Sequence, residues 1–151
     1  MRSRILLVLA LALALTAIVV PGASGATKRT RALQGTIHMS MIGPNGDSGS
    51  KFAGELATRV TGRSALLFHN TITGSTSKGK GVLYTKSGTI LATATNELQP
   101  QPDGSVNLPG TFKIVGGTGR YKGATGSGTF DAVLPANSTV FEVKLKGKIR
   151  F

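Results

Sequence analysis

From residue 141 to 151 the chain alternates. Phe141, Val143, Leu145, Ile149 and Phe151 fall on one face, and Glu142, Lys144, Lys146, Lys148 and Arg150 on the other. Only an extended strand, whose successive side chains point to opposite sides, sorts residues with period two. Residues 33–41 repeat the pattern, with Leu33, Ile37, Met39 and Met41 opposed to Gln34, Thr36, His38 and Ser40. Composition and alternation predict further strands over 52–60, 65–73, 81–85, 89–96, 106–115 and 126–134. Pro109 has no N–H to give to a ladder, so the 106–115 strand is expected to start after it or to bulge there. The stretches between strands, at 44–47, 61–63, 74–80, 86–88, 100–104, 116–123 and 135–137, carry turn residues and not helix caps.

Eight sequential strands with short links predict an all-β fold, an eight-stranded antiparallel up-and-down barrel, because closure removes the edges an open sheet would expose. A sandwich is the alternative. A barrel of this size is filled by side chains or holds one small ligand. The expected inward set mixes large residues, Phe68, Tyr84, Phe112, Phe130 and Phe141, with small ones, Gly35, Ala92, Ala94, Gly128 and Gly147. Asn70 shares a face with Leu66, Phe68 and Ile72, and a buried amide must find partners, as a structural tie or as a polar handle in the pocket. Phe68, Asn70, Tyr84, Phe112, Phe130 and Phe141 are therefore the candidate lumen residues. On the opposite face Leu67, Leu83 and Leu91 are expected to form an apolar patch across three strands, a candidate contact for a homo-oligomer.

The N-terminus predicts destination. Arg2 and Arg4 precede an apolar run from 5 to 20, and the small residues of 21–26 follow, so residues 1–26 read as a secretory signal peptide cleaved near Ala26. Residues 27–32 then form a basic N-terminal arm and 33–151 a single barrel domain in a secreted protein. Cysteine is absent although an exported chain could use disulfides, which points to a bacterial source and excludes thiol chemistry.

The chain carries 18 Lys and Arg against 6 Asp and Glu; without Arg2 and Arg4 it keeps 16 against 6, a net +10. Such a field attracts polyanions, and Lys144, Lys146, Lys148 and Arg150 are the candidate contacts. Nucleic acid is a weaker partner class, because the few aromatics are expected to point inward and not to form a stacking platform. No cofactor is expected. His38 and His69 fall on the face opposite the predicted core, and the carboxylates are dispersed, so no metal site is expected. Residues 74–81 approach a phosphate-binding loop, but Gly81 stands where a Ser or Thr should be and no helix follows.

Residues 110–130, with glycines at 116, 117, 119 and 123 around Tyr121, read as two strands joined by a glycine corner over which the tyrosine folds back. Gly116, Gly117, Gly119, Tyr121 and Gly123 are thus expected to be structural. This block, with the closing strand from Thr139 to Lys148, resembles the C-terminal half of the allene oxide cyclase barrel and dirigent-like families, and most of all their short secreted bacterial members. The resemblance implies a calycin-type barrel. In the plant cyclases a carboxylate and an asparagine near the first strand hold a water, whereas this first strand offers Gln34, Thr36 and His38. Three functional readings follow. The first is a non-enzymatic barrel that binds a small apolar or phenolic ligand in its lumen. The second is an extracellular structural or adhesive barrel that contacts anionic envelope polymers. The third is a cyclase or isomerase, as the resemblance implies.

Overall fold

The computed structural model describes residues 28–151; the signal-peptide reading of residues 1–26 lies outside them. The chain is all-β. Its strands are β1 (Thr30–Pro44), β2 (Ser50–Thr58), β3 (Gly62–Thr73), β4 (Thr76–Thr85), β5 (Gly88–Glu97), β6 (Gln99–Pro100), β7 (Val106–Asn107), β8 (Gly110–Gly117), β9 (Thr125–Leu134) and β10 (Val140–Arg150). The eight long strands pair antiparallel in the order β1-β2-β3-β4-β5-β8-β9-β10, and β10 returns to β1, which closes the barrel. The short β6–β7 hairpin continues β9 beyond the start of β8, with Val106 opposite Leu134.

Burial follows the alternation. On β10, Phe141, Val143, Leu145 and Ile149 are buried, while the charged residues between them are exposed. Pro109 lies just outside β8, which begins at Gly110, and residues 106–107 split off as β7. Several boundaries differ from the sequence reading, and two of them move charged residues from links into strands. β1 begins at Thr30, so the stretch read as a basic arm already pairs with β10, Thr30 opposite Arg150. β4 begins at Thr76, so the stretch read as a basic turn over 74–80 shrinks to the tight link around Gly74, and Lys78 and Lys80 stand outward on a strand.

One end of the barrel is sealed. The β8–β9 link contains a single 3-10 turn, Gly119–Tyr121, that folds back under the barrel. Gly119 adopts φ 57°, and a Cβ there would run into the carbonyl oxygen of Ser87. Tyr121 is 1% exposed, and its ring meets Phe151 edge to face at 5.0 Å. The guanidinium groups of Arg120 and Arg31 lie over Phe151 at 5.3 and 5.9 Å, so the plug is capped by cation–π contacts. The chain enters and leaves here: Arg29 and Phe151 exchange backbone hydrogen bonds of 3.0 and 3.3 Å.

Candidate functional site

The opposite end opens into a cavity of about 240 Å³ that runs down the barrel axis. Its walls are hydrocarbon: Leu33, Leu56, Ile90 and Leu145 lie towards the sealed end, and Met41, Ile72, Leu98, Leu108 and Leu134 surround the mouth. The space exists because of how the aromatic rings lie. A Cβ on Gly79 or Gly81 would meet the ring of Phe68, one on Gly128 or Gly147 the ring of Phe112, and one on Gly110 the ring of Phe130. Phe68, Phe112 and Phe130 therefore lie close against bare glycine backbone of other strands. Phe52 stands edge-on to Phe141 at 5.7 Å and tilted to Phe68 at 6.2 Å, which lines one upper wall with aromatic surface.

Apart from Thr93, the polar residues that line the lumen do so at one level. Ser50, Asn70, Ser77 and Asn96 line the cavity from the four consecutive strands β2 to β5, with Ser77 directly opposite Asn96. Asn70 organises them. Its Oδ1 accepts the Ser50 N–H at 2.8 Å and its Nδ2 donates to Ser77 Oγ at 2.9 Å, while its backbone carbonyl accepts from Asn45 Nδ2 at 2.8 Å. The β1–β2 link is thereby tied to β3 at the mouth. Asn70 is thus a structural tie that uses one of its two amide protons on Ser77. Asn70→Ala is expected to lower stability by about 1–3 kcal/mol, since it leaves the part-buried Ser50 N–H without its acceptor. An unchanged urea midpoint would show that the tie carries no weight.

Among the lumen candidates, Phe68, Asn70, Phe112, Phe130 and Phe141 line the cavity. Tyr84 does not: it is 47% exposed on the outer wall, and Leu83, at 7%, takes the lumen position. The same correction applies to the expected outer patch. Leu67 and Leu91 are exposed, but the residue between them on the outside is Val82, paired with both, and not Leu83. Apolar residues occupy both faces at 81–84, so no polar position fixes the phase there. Sequence reasoning also missed Ser50, Ser77 and Asn96, which sit in or beside turn-like stretches. A period-two count begun from Asn70 and carried across the hairpin to Ser77 is the signal that finds them.

No ionisable side chain lines the cavity. Every residue lining the cavity is apolar, Gly, Ser, Thr or Asn. His38 pairs with Glu142 at 3.3 Å and Arg63 with Glu55 at 3.2 Å, all with exposed side chains. Asp103, in the β6–β7 turn, accepts from the Ser105 hydroxyl at 2.7 Å and the Ser105 N–H at 2.9 Å, bonds that hold its carboxyl below the usual range. Among the described residues, no cluster of three or more His, Asp or Glu side chains could hold a metal. Lys144, Lys146, Lys148 and Arg150 are all exposed on the outer face of β10. Comparison with family models, with curated proteins and with solved structures finds no match to this chain.

Proposed function

We propose that the protein is an exported, non-enzymatic barrel that binds one small, uncharged, mostly hydrocarbon molecule in its lumen. The observation that carries this reading is an apolar cavity with an arc of neutral hydrogen-bonding groups at its mouth, Ser50, Asn70, Ser77 and Asn96. An ionised guest would lose its hydration without gaining a counter-charge, which costs far more than hydrocarbon contact returns. A guest with one hydroxyl or carbonyl end, such as a small phenol or terpenoid alcohol, matches both parts of the wall. At about 240 Å³ the cavity lies just below the roughly 300–1,000 Å³ of ordinary ligand pockets, so the guest is small. Export is supported by the charged, apolar and small-residue order of residues 1–26.

A cyclase or isomerase working by acid–base steps would need a titratable side chain in reach of its substrate. The lumen wall supplies none, which favours binding over conversion. The glycine corner and the barrel closure support kinship with the allene oxide cyclase barrel and dirigent-like families, as part of this proposal.

The test is titration with a neutral fluorescent hydrophobe, N-phenyl-1-naphthylamine. Saturable enhancement is expected in the wild type and its loss in Ala94→Phe, which places a ring in the lumen opposite Gly79 and Phe112. No enhancement in the wild type, or an unaltered titration in a folded Ala94→Phe variant, would overturn the reading.

A further inference from the structure

We propose that the outer face of β9, β10 and β1 is a second binding site, for a linear anionic polysaccharide. Lys144, Lys146, Lys148 and Arg150 project from alternate positions of one strand. At about 3.4 Å per residue they form a row roughly 20 Å long with a charge every 7 Å or so. None of the four is ion-paired; the ion pairs among the described residues are His38 with Glu142 and Arg63 with Glu55. A row of like charges on a strand is commonly no more than a solvated face. Here three further observations give it the features of a site.

The first is what flanks the row. Register places Thr36 beside Lys144 and Gln34 beside Lys146 on β1, and Thr129 beside Lys146 and Ser127 beside Lys148 on β9. The cations thus run along a track with uncharged hydrogen-bonding groups on either side. The second is shape. A shallow hollow of about 320 Å³ is centred on Lys144 and Lys146 and walled by Gln34, Thr36, Thr129 and Asp131. The third is Asp131 itself, which faces Lys144 across the ladder without forming an ion pair.

These features choose among polyanions. A saccharide bearing carboxylates or sulfates presents anionic groups to the lysines and hydroxyl donors to Asp131 and the neutral side chains. A polyphosphate chain offers acceptors only and would be repelled by Asp131. A single-stranded nucleic acid would look for exposed aromatic rings, and Phe151, next in sequence to the row, already lies against Tyr121 beneath Arg31 and Arg120. The site lies across the barrel wall from the lumen, so the two can be occupied together, and this proposal does not depend on the lumen reading.

The experiment is calorimetric titration of the purified protein with polygalacturonate, with neutral dextran and inorganic polyphosphate as comparison polymers. The expected result is binding to polygalacturonate that weakens with salt and exceeds binding to either comparison polymer. The double variant Lys144→Gln, Lys146→Gln should bind polygalacturonate about tenfold or more weakly. The double variant Thr36→Val, Thr129→Val should lose severalfold towards polygalacturonate. Polyphosphate binding as tight as polygalacturonate would overturn the proposal in favour of plain charge attraction, and equal binding of dextran would also overturn it. So would undiminished binding by the lysine variant. The order of the three polymers on the wild type needs no variant to fold, and the lumen probe should titrate identically throughout.

Discussion

Tyr121→Ala is expected to destabilise the barrel by about 3–5 kcal/mol, the range for truncating a large buried aromatic. Tyr121 is 1% exposed and forms the floor of the sealed end, so its removal opens a hole that cannot collapse against a closed ring of strands. The loss extends to Phe151, whose ring would lose its edge-to-face partner. Tyr121→Phe separates packing from polarity. The hydroxyl reaches the Val60 carbonyl at a long 3.4 Å, so the phenylalanine variant should fall by less than about 1 kcal/mol. Equilibrium urea unfolding followed by far-ultraviolet circular dichroism measures both. A Tyr121→Ala protein within about 1 kcal/mol of wild type would show that the floor is not a structural element.

Gly119→Val and Gly123→Val are expected to separate although both glycines have positive φ, 57° and 68°. A β-branched residue in this conformation costs about 1–3 kcal/mol in either place. At Gly119 the new Cβ also meets the Ser87 carbonyl oxygen and the Cα of Gly88, backbone that can move only by parting the β4–β5 turn from the floor. The total there is about 3 kcal/mol or more. At Gly123 the nearest atom is the Lys28 ammonium at 3.2 Å, the tip of a flexible side chain that can swing away. That variant should lose only the conformational cost of about 1–3 kcal/mol. Equal losses in parallel unfolding curves would mean that the corner is governed by backbone conformation alone, without the contact to Ser87.

The outline of the barrel could be read from residue order where one face is polar. β10 and β1 alternate between charge or hydroxyl and hydrocarbon, so their phase had a single solution, and closure between them follows from having no other strands left to pair. β4 defeated the same logic. Gly79 reads as a turn residue and Gly81 as no more than the first position of a strand, since glycine gains nothing in a strand by itself. Their reason for being there is Phe68 on the next strand, a relation visible only once the register brings Gly81 opposite it. The lumen was half legible for a similar cause. Its aromatic members announce themselves by size, whereas Ser77 and Asn96 resemble any surface residue until pairing places one opposite the other behind the mouth.

The meeting of Arg29 and Phe151 at the sealed end fixes how the molecule can be held. A tether joined through either of these neighbouring strand ends stands the barrel on its base, like a cup, with the opening turned away from the support. Diffusion of a guest into the cup would then be unobstructed, and the β10 face would stand upright along the side, free to lie against a neighbouring polymer strand. A tether through the β6–β7 turn at 101–105 would invert the cup and lay the linker across its opening.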